Sequence, residues 1–299
     1  MSFEVIIPFL KPIKSLLEAE TVSEIMVNPD SSVWAEVGGQ IQLLSGIRFE
    51  EGALQTGLEV IANRFGKKLD ADSPIMNLRL PDGSRMAAMI PPVVNPRPLM
   101  TIRKFTSRDF TLEDLVQRGM LTKDQAVNLS DAVRDGQNVL ISGGTGTGKT
   151  TLLNVLADSI PEHERVLIIE DTAELRIRRP HVVSAESQTD THRNKLTFDD
   201  LLKAVLRHRP DRIIVGEVRG VEARTLLDAM STGHRGTLAT VHAGGPEEAV
   251  RRLAALAMRA GGGMTLNSHE EEVKRCLDLV VHVSRRNGLR FVESLLRCR

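Results

Sequence analysis

Asn138-Val139-Leu140-Ile141-Ser142-Gly143-Gly144-Thr145-Gly146-Thr147-Gly148-Lys149-Thr150-Thr151-Leu152-Leu153-Asn154-Val155-Leu156 is the stretch that decides the fold. Its first five residues read as a short apolar strand and its last six as the start of a helix. Between them, residues 143–150 fit G-x-x-x-x-G-K-[ST] in full. A strand that passes through a glycine-rich loop into a helix is the setting a phosphate-binding loop requires. Glycines let the backbone curl so that successive N–H groups point inward at phosphate oxygens. The helix N-terminus adds its own free N–H groups and the positive end of its dipole. Gly143, Gly144, Thr145, Gly146, Thr147, Gly148, Lys149, Thr150 and Thr151 are therefore the candidate nucleotide-binding set. Lys149 is expected to reach the β- and γ-phosphates, and the Thr150 hydroxyl to ligate Mg²⁺. The bland alternative is a glycine-rich turn with a lone exposed lysine, and motif and context together weigh against it.

Outward from this loop the chain alternates strand and helix. Strand-like runs lie at 138–142, 166–170, 212–216, 237–242 and 279–283, with helical runs at 151–160, 198–208, 221–231 and 247–260. Such alternation predicts an α/β domain with a mainly parallel sheet. Asn287-Gly288 predicts a closing hairpin. In open α/β sheets ligands sit beyond the carboxyl ends of the strands. Ile168-Ile169 runs into Glu170-Asp171-Thr172-Ala173-Glu174, Ile213-Ile214-Val215-Gly216 into Glu217-Val218-Arg219, and Thr237-Leu238-Ala239-Thr240-Val241 into His242. Two strand-end acids beside a phosphate loop suit the organisation of Mg²⁺ and the orientation of an attacking water. Asp171 could be a mere helix N-cap. His242 could sense the γ-phosphate or the acid that holds water, while His234 reads equally as functional or as a satisfied structural histidine. Neither is expected to ligate metal, because no cysteine or carboxylate cluster accompanies them.

Leu206-Arg207-His208-Arg209-Pro210-Asp211-Arg212 is dense in arginine, which grips phosphate and carboxylate in bidentate fashion. It reads either as a cluster facing a nucleotide on a neighbouring subunit or as a solvated helix end offsetting the helix dipole. Arg85 and Arg103 carry the same two readings.

The first part of the chain reads as a smaller mixed domain. Residues 32–37 and 40–44 flank Gly38-Gly39 as a hairpin, and residues 53–65 have helical apolar spacing. Pro81-Asp82-Gly83 is a turn between strand-like pieces, and Pro91, Pro92, Pro96 and Pro98 forbid regular structure around them. The predicted organisation is an α+β domain over 1–105, a linker over 106–118 that includes Ser107-Arg108-Asp109-Phe110-Thr111, and an ATPase domain over 119–299. At 299 residues two domains are the expectation. Lysine plus arginine and aspartate plus glutamate both number 39, and aromatic residues are 3% with no tyrosine, so little points to a nucleic-acid surface and no direct nucleic-acid binding is expected. Two cysteines without metal spacing, Cys276 and Cys298, suggest reduced thiols in a cytoplasmic protein. No apolar run approaches the length that spans a bilayer. The short apolar run at 5–10 lacks a signal-peptide layout and is expected to pack, although it could touch a membrane surface.

Four motifs now stand in order: the loop at 143–150, the acid box at 169–174, Leu206-Arg207-x-Arg209-Pro210-Asp211 through Gly216-Glu217-x-Arg219, and Gly233-His234-Arg235-Gly236 through Thr240-Val241-His242. In this order they resemble the hexameric ATPases of bacterial type IV and type II secretion. The similarity extends through Glu24-Ile25-Met26-Val27-Asn28-Pro29 and Asp82-Gly83-Ser84-Arg85-Met86, and so covers nearly the whole chain. The compact length and the lack of a paired Cys-x-x-Cys module look like the type IV, conjugal-transfer branch. Type II secretion or pilus assembly is the alternative within the family, and a nucleotide-gated scaffold the alternative outside it. The resemblance implies a RecA-like ATPase domain, an N-terminal domain that covers its nucleotide, and a homo-hexamer. It also implies inner-membrane components of a secretion or conjugation apparatus as partners, at the cytoplasmic face. Arg85, Arg103 and Arg207 would contact phosphates, with Asn28 near the base. Glu170 would be the general base and Glu217 would support Mg²⁺, roles that could be exchanged, with Lys149, Arg219 and His242 completing the catalytic set. The family often has an acid where this chain has Gly220, so the role of that acid stays open.

Overall fold

The computed structural model describes residues 4, 6–105, 110–171, 173–187 and 196–298. The chain divides into two compact units, Met1–Arg108 and Asp109–Arg299.

The first unit is built on a six-stranded antiparallel sheet. Helix α1 (Lys14–Glu18) leads into β1 (Val22–Val27), β2 (Val33–Val37) and β3 (Gln40–Leu43), and α2 (Ala53–Arg64) is followed by β4 (Ile75–Arg79), β5 (Arg85–Met89) and β6 (Leu99–Arg103). The strand order is β3-β2-β1-β6-β5-β4. Gly38 and Gly39 both take positive φ (60° and 86°), the two-residue turn that matches the strand twist and closes the predicted hairpin. Leu54, Leu58, Ile61 and Ala62 recur at helical spacing and are buried, so α2 lays one face on the core. Ile6 and Leu10 are buried in the same core, so the N-terminal apolar run packs there.

The second unit holds a seven-stranded sheet. It comprises α3 (Leu112–Gln117), α4 (Lys123–Arg134), β7 (Val139–Gly143), α5 (Lys149–Ala157), β8 (Val166–Glu170), β9 (Val182–Glu186), α6 (Phe198–Val205) and β10 (Arg212–Val215). Then follow α7 (Glu222–Ser231), β11 (Leu238–Val241), α8 (Pro246–Met258), α9 (Leu266–Cys276), β12 (Leu279–Arg286) and β13 (Leu289–Arg297). The strand order is β13-β12-β7-β11-β10-β8-β9, parallel except where β13 returns antiparallel on β12. Both faces are covered, which is why the strands read as continuous apolar runs. Leu140, Leu167, Ile169, Ile213, Val215, Ala239 and Val241 pack with residues of α6, α7, α8 and α9. The alternate residues Val139, Ile141, Val166, Ile168, Ile214 and Leu238 pack with residues of α3, α4 and α5. This is the RecA-like, mainly parallel arrangement that the resemblance implies.

Several elements differ from expectation. Within 106–118, expected as linker, residues 106–109 lie outside the described residues, while 112–117 form α3. Its N-cap is a Thr111–Asp114 capping box, and Leu115 is buried in the second unit's core. Helix α4, capped by the Thr122–Gln125 box, and β9 and α9 are also additional to the expected elements.

Candidate functional site

Strand β7 lies between β11 and β12, and the chain leaving it must cross β11 and β10 to reach β8. The crevice beyond the carboxyl ends of these strands therefore gathers the ends of β7, β11, β10 and β8. The loop after β7 turns on Gly146 and Gly148, both at positive φ (72° and 96°). Gly143 is needed for a different reason: a Cβ there would lie 2.3 Å from the Val283 carbonyl oxygen of β12.

Lys149 opens α5 and is 8% exposed. Its ammonium donates to the carbonyls of Gly143 (3.0 Å) and Gly144 (2.9 Å) and lies 3.4 Å from His242 Nδ1. Burial pushes its pKa down; nearby Glu217 pulls it up and Arg219 adds to the lowering. His242 follows β11, and its Nε2 lies 2.9 Å from Glu217 Oε1. An ammonium can only donate, so Nδ1 is the acceptor toward Lys149 and the ring proton sits on Nε2, facing Glu217. Burial holds the His242 pKa below its usual 6.5, with Lys149 adding to the effect, so the ring is neutral at pH 7. Glu217 Oε2 accepts from Arg219 (2.5 Å), and Arg219 also donates to Asp171 Oδ2 (2.8 Å). The result is a continuous polar line, Lys149–His242–Glu217–Arg219–Asp171, with a neutral imidazole between the ammonium and the first carboxylate.

Glu170 is held differently. It is 3% exposed, and its Oε1 accepts from the backbone N–H groups of Glu174 (2.9 Å) and Leu175 (3.0 Å). Its Cγ lies 2.9 Å from where a Cβ on Gly216 would sit, so that glycine makes room for it. Asp171 is no helix N-cap, since the described residues from 173 to 187 contain no helix; it pairs with Arg219 instead. Thr172, in the expected acid box, lies outside the described residues. Beyond β10, Glu222 (6% exposed) accepts from the N–H groups of Arg219 (2.6 Å) and Gly220 (2.7 Å). A Cβ at 220 would lie 2.8 Å from Glu222 Oε2, so glycine at 220 accompanies an acid at 222.

Mg²⁺ favours hard oxygen donors and keeps several waters. Glu217 Oε1 is buried and, apart from the His242 Nε2 contact at 2.9 Å, has no partner among the described residues. With the Thr150 hydroxyl in the first turn of α5, this donor set fits the cation.

Other expected residues fall elsewhere. Arg207 lies in a short 3-10 turn (Leu206–His208) just ahead of β10, at the amino end of the sheet and opposite the phosphate loop of the same chain. His234 is at that end too, its backbone N–H donating to Ala229 (3.0 Å). Gly236 of the same motif leaves space for buried Arg212, which would lie 2.1 Å from a Cβ at that position. In the first unit Arg85 and Arg103 stand directly opposite on β5 and β6. Arg79, which the sequence reading missed, stands opposite Arg85 on β4. Asn28 does not join this row. Its side chain donates to Ser32 Oγ (3.1 Å) in the β1–β2 turn, four residues along β1 from Glu24, the partner of Arg103.

The sequence pattern of the family described as Type II/IV secretion system protein matches residues 10–287. The chain belongs to this family. Among relatives of the Type II/IV secretion family, the probable conjugal transfer protein TrbB of Sinorhizobium fredii is 36% identical over 94% of this chain and 84% of its own length. The type IV secretion system protein VirB11 of Bartonella quintana is 30% identical over 95% of this chain and 90% of its own. In structure, the chain is similar to the Brucella suis VirB11 ATPase in complex with sulphate (TM-score 0.53, 25% identity, covering 98% of this chain and 94% of that one). Among the described residues, no helix is long and apolar enough to cross a membrane.

Proposed function

We propose that this secretion-family protein hydrolyses ATP to ADP and phosphate, and that the turnover powers conjugal transfer or type IV secretion. The observation that carries the reading is the Lys149–His242–Glu217 line: a buried ammonium in the phosphate loop connected through a neutral imidazole to a strand-end carboxylate. In this scheme Lys149 exchanges its loop carbonyls for phosphate oxygens. Glu217 accepts hydrogen bonds from the attacking water and from the cation's waters, and His242 holds its carboxylate in place. Arg219 donates to the other oxygen of that carboxylate and fixes its orientation. Mg²⁺, held by Thr150 with Glu217 near it, would neutralise charge on the β- and γ-oxygens. Glu170, whose Oε1 is held by its own loop's amides, positions the chain that carries Asp171 and Glu174, and Glu217 takes both roles first expected of the two acids.

Arg85 and Arg103 are candidate phosphate contacts, and the working form is a homo-hexamer docked on inner-membrane components at the cytoplasmic face. The relatives' names, conjugal transfer and type IV secretion, support such an apparatus as the partner. Phosphate release from ATP tests the activity. Lys149→Ala is expected to lower it at least a hundredfold, since the transition state loses a close, desolvated charge; turnover at the wild-type rate would defeat the proposal.

A further inference from the structure

The hairpin of β12 and β13 overhangs the phosphate loop, and it carries residues that the sequence reading did not connect with it. Strand β12 runs parallel to β7 with Val283 opposite Gly143, so the chain beyond Val283 continues past the loop before turning back. On the return strand, Arg290 Nε donates to the Gly146 carbonyl at 3.0 Å. Its Cδ lies 3.4 Å from where a Cβ on Gly148 would sit. Arg290 stands opposite Arg285, whose Nη1 comes within 3.7 Å of the equivalent position on Gly146. One arginine thus contacts the loop at 146 with its head and at 148 with its stem. The family pattern ends at residue 287, before Arg290.

We infer that Arg290 is a positioning residue for the phosphate loop, setting the orientation of the Gly146–Thr147 peptide. A trans peptide is planar, with its C=O and N–H pointing in opposite directions. Fixing the Gly146 carbonyl on the hairpin side turns the Thr147 N–H the other way, toward the phosphates. Gly146 is exposed and at φ 72°, a residue type with many accessible backbone states. Without an outside partner that peptide could rotate and present its carbonyl to the anion, replacing an attraction with a repulsion. The charged donor also polarises the peptide in the sense that strengthens its N–H. The ligand class is a polyphosphate, and the inference rests on the nucleotide reading of the site.

The test uses the full chain and two probes, ADP and inorganic tripolyphosphate, each measured by equilibrium binding. Arg290→Ala is expected to weaken both about tenfold, the scale of one hydrogen bond to a charged group. KM for ATP should rise in parallel while kcat changes little. Arg290→Lys should recover part of the loss. Arg286→Ala serves as control: Arg286 is on the same hairpin but engages Glu293 (3.3 Å) and the Phe291 ring, and the variant should bind as wild type. Wild-type binding by Arg290→Ala would overturn the inference. So would a loss seen with ADP but not with tripolyphosphate, which would mean contact with the nucleoside instead. Failure of the wild-type chain to bind either probe would remove the nucleotide reading itself, and the inference with it.

Discussion

The two ends of the parallel sheet use the same residue types to opposite ends. At the amino end Arg212 is 3% exposed and gives its guanidinium to Glu164, the Val133 carbonyl (2.7 Å) and the Arg134 carbonyl (3.2 Å). These partners are fixed, and Gly236 is a glycine so that the side chain can pass. At the carboxyl end Lys149, His242, Glu217 and Arg219 are partnered too, but mainly with one another and with loop carbonyls, around side chains that water can reach: His242 is 43% and Arg219 61% exposed. A buried, saturated arginine holds elements together. A partly open line of charged and polar groups can exchange partners when a charged ligand arrives. Charge density alone therefore does not mark an active site; the freedom to exchange partners does.

Substitutions at the two ends should separate stability from chemistry. The largest effect on folding is expected from Arg212→Ala, which leaves Glu164 and two carbonyls without their donor and should cost about 3 kcal/mol. Denaturant titration would read this as a lower midpoint, and a stability within 0.5 kcal/mol of wild type, about the scale of ordinary surface substitutions, would show that the amino-end cluster is not a structural pin.

A smaller effect is expected from pH at the carboxyl end. The His242 pKa is lowered in the fold, so below its usual 6.5 the unfolded chain binds a proton that the folded chain resists. Stability therefore falls as pH drops through that window, and a proton gained there places a second cation beside Lys149. The pH profile of kcat/KM should show an acid limb below pH 6.5 that is absent in His242→Asn. Identical limbs in the two proteins would remove His242 from the line.

Much of this was legible in the sequence because it is local. The phosphate loop is a backbone motif written in consecutive glycines, and apolar runs that stop at Glu170, Glu217 and His242 announce the strand ends. The place of Arg207 was legible as well, since it precedes the strand at 212–215 and so belongs to the amino end. Helix α4 also carried a signal, the Thr122-x-x-Gln125 capping box. Other features depend on pairing register, which no single stretch encodes. Arg79 joins Arg85 and Arg103 only through the β4–β5–β6 ladder. Arg290 meets Gly146 across 144 residues of chain. The different settings of Glu170 and Glu217 were illegible for the same reason: both end apolar strands, and only the fold shows one on its own loop's amides and the other beside His242.

Glu217→Gln puts the strand-end carboxylate to the most direct trial. The substitution keeps size, exchanges one accepting oxygen for a donating NH2 and removes the charge that orients water. Nucleotide binding and steady-state phosphate release should be measured on the same preparation. The expected result is ADP affinity close to wild type with phosphate release reduced at least about a hundredfold, the scale of a positioned acid–base group. Release at the wild-type rate would contradict the assignment of hydrolysis to the Lys149–His242–Glu217 line.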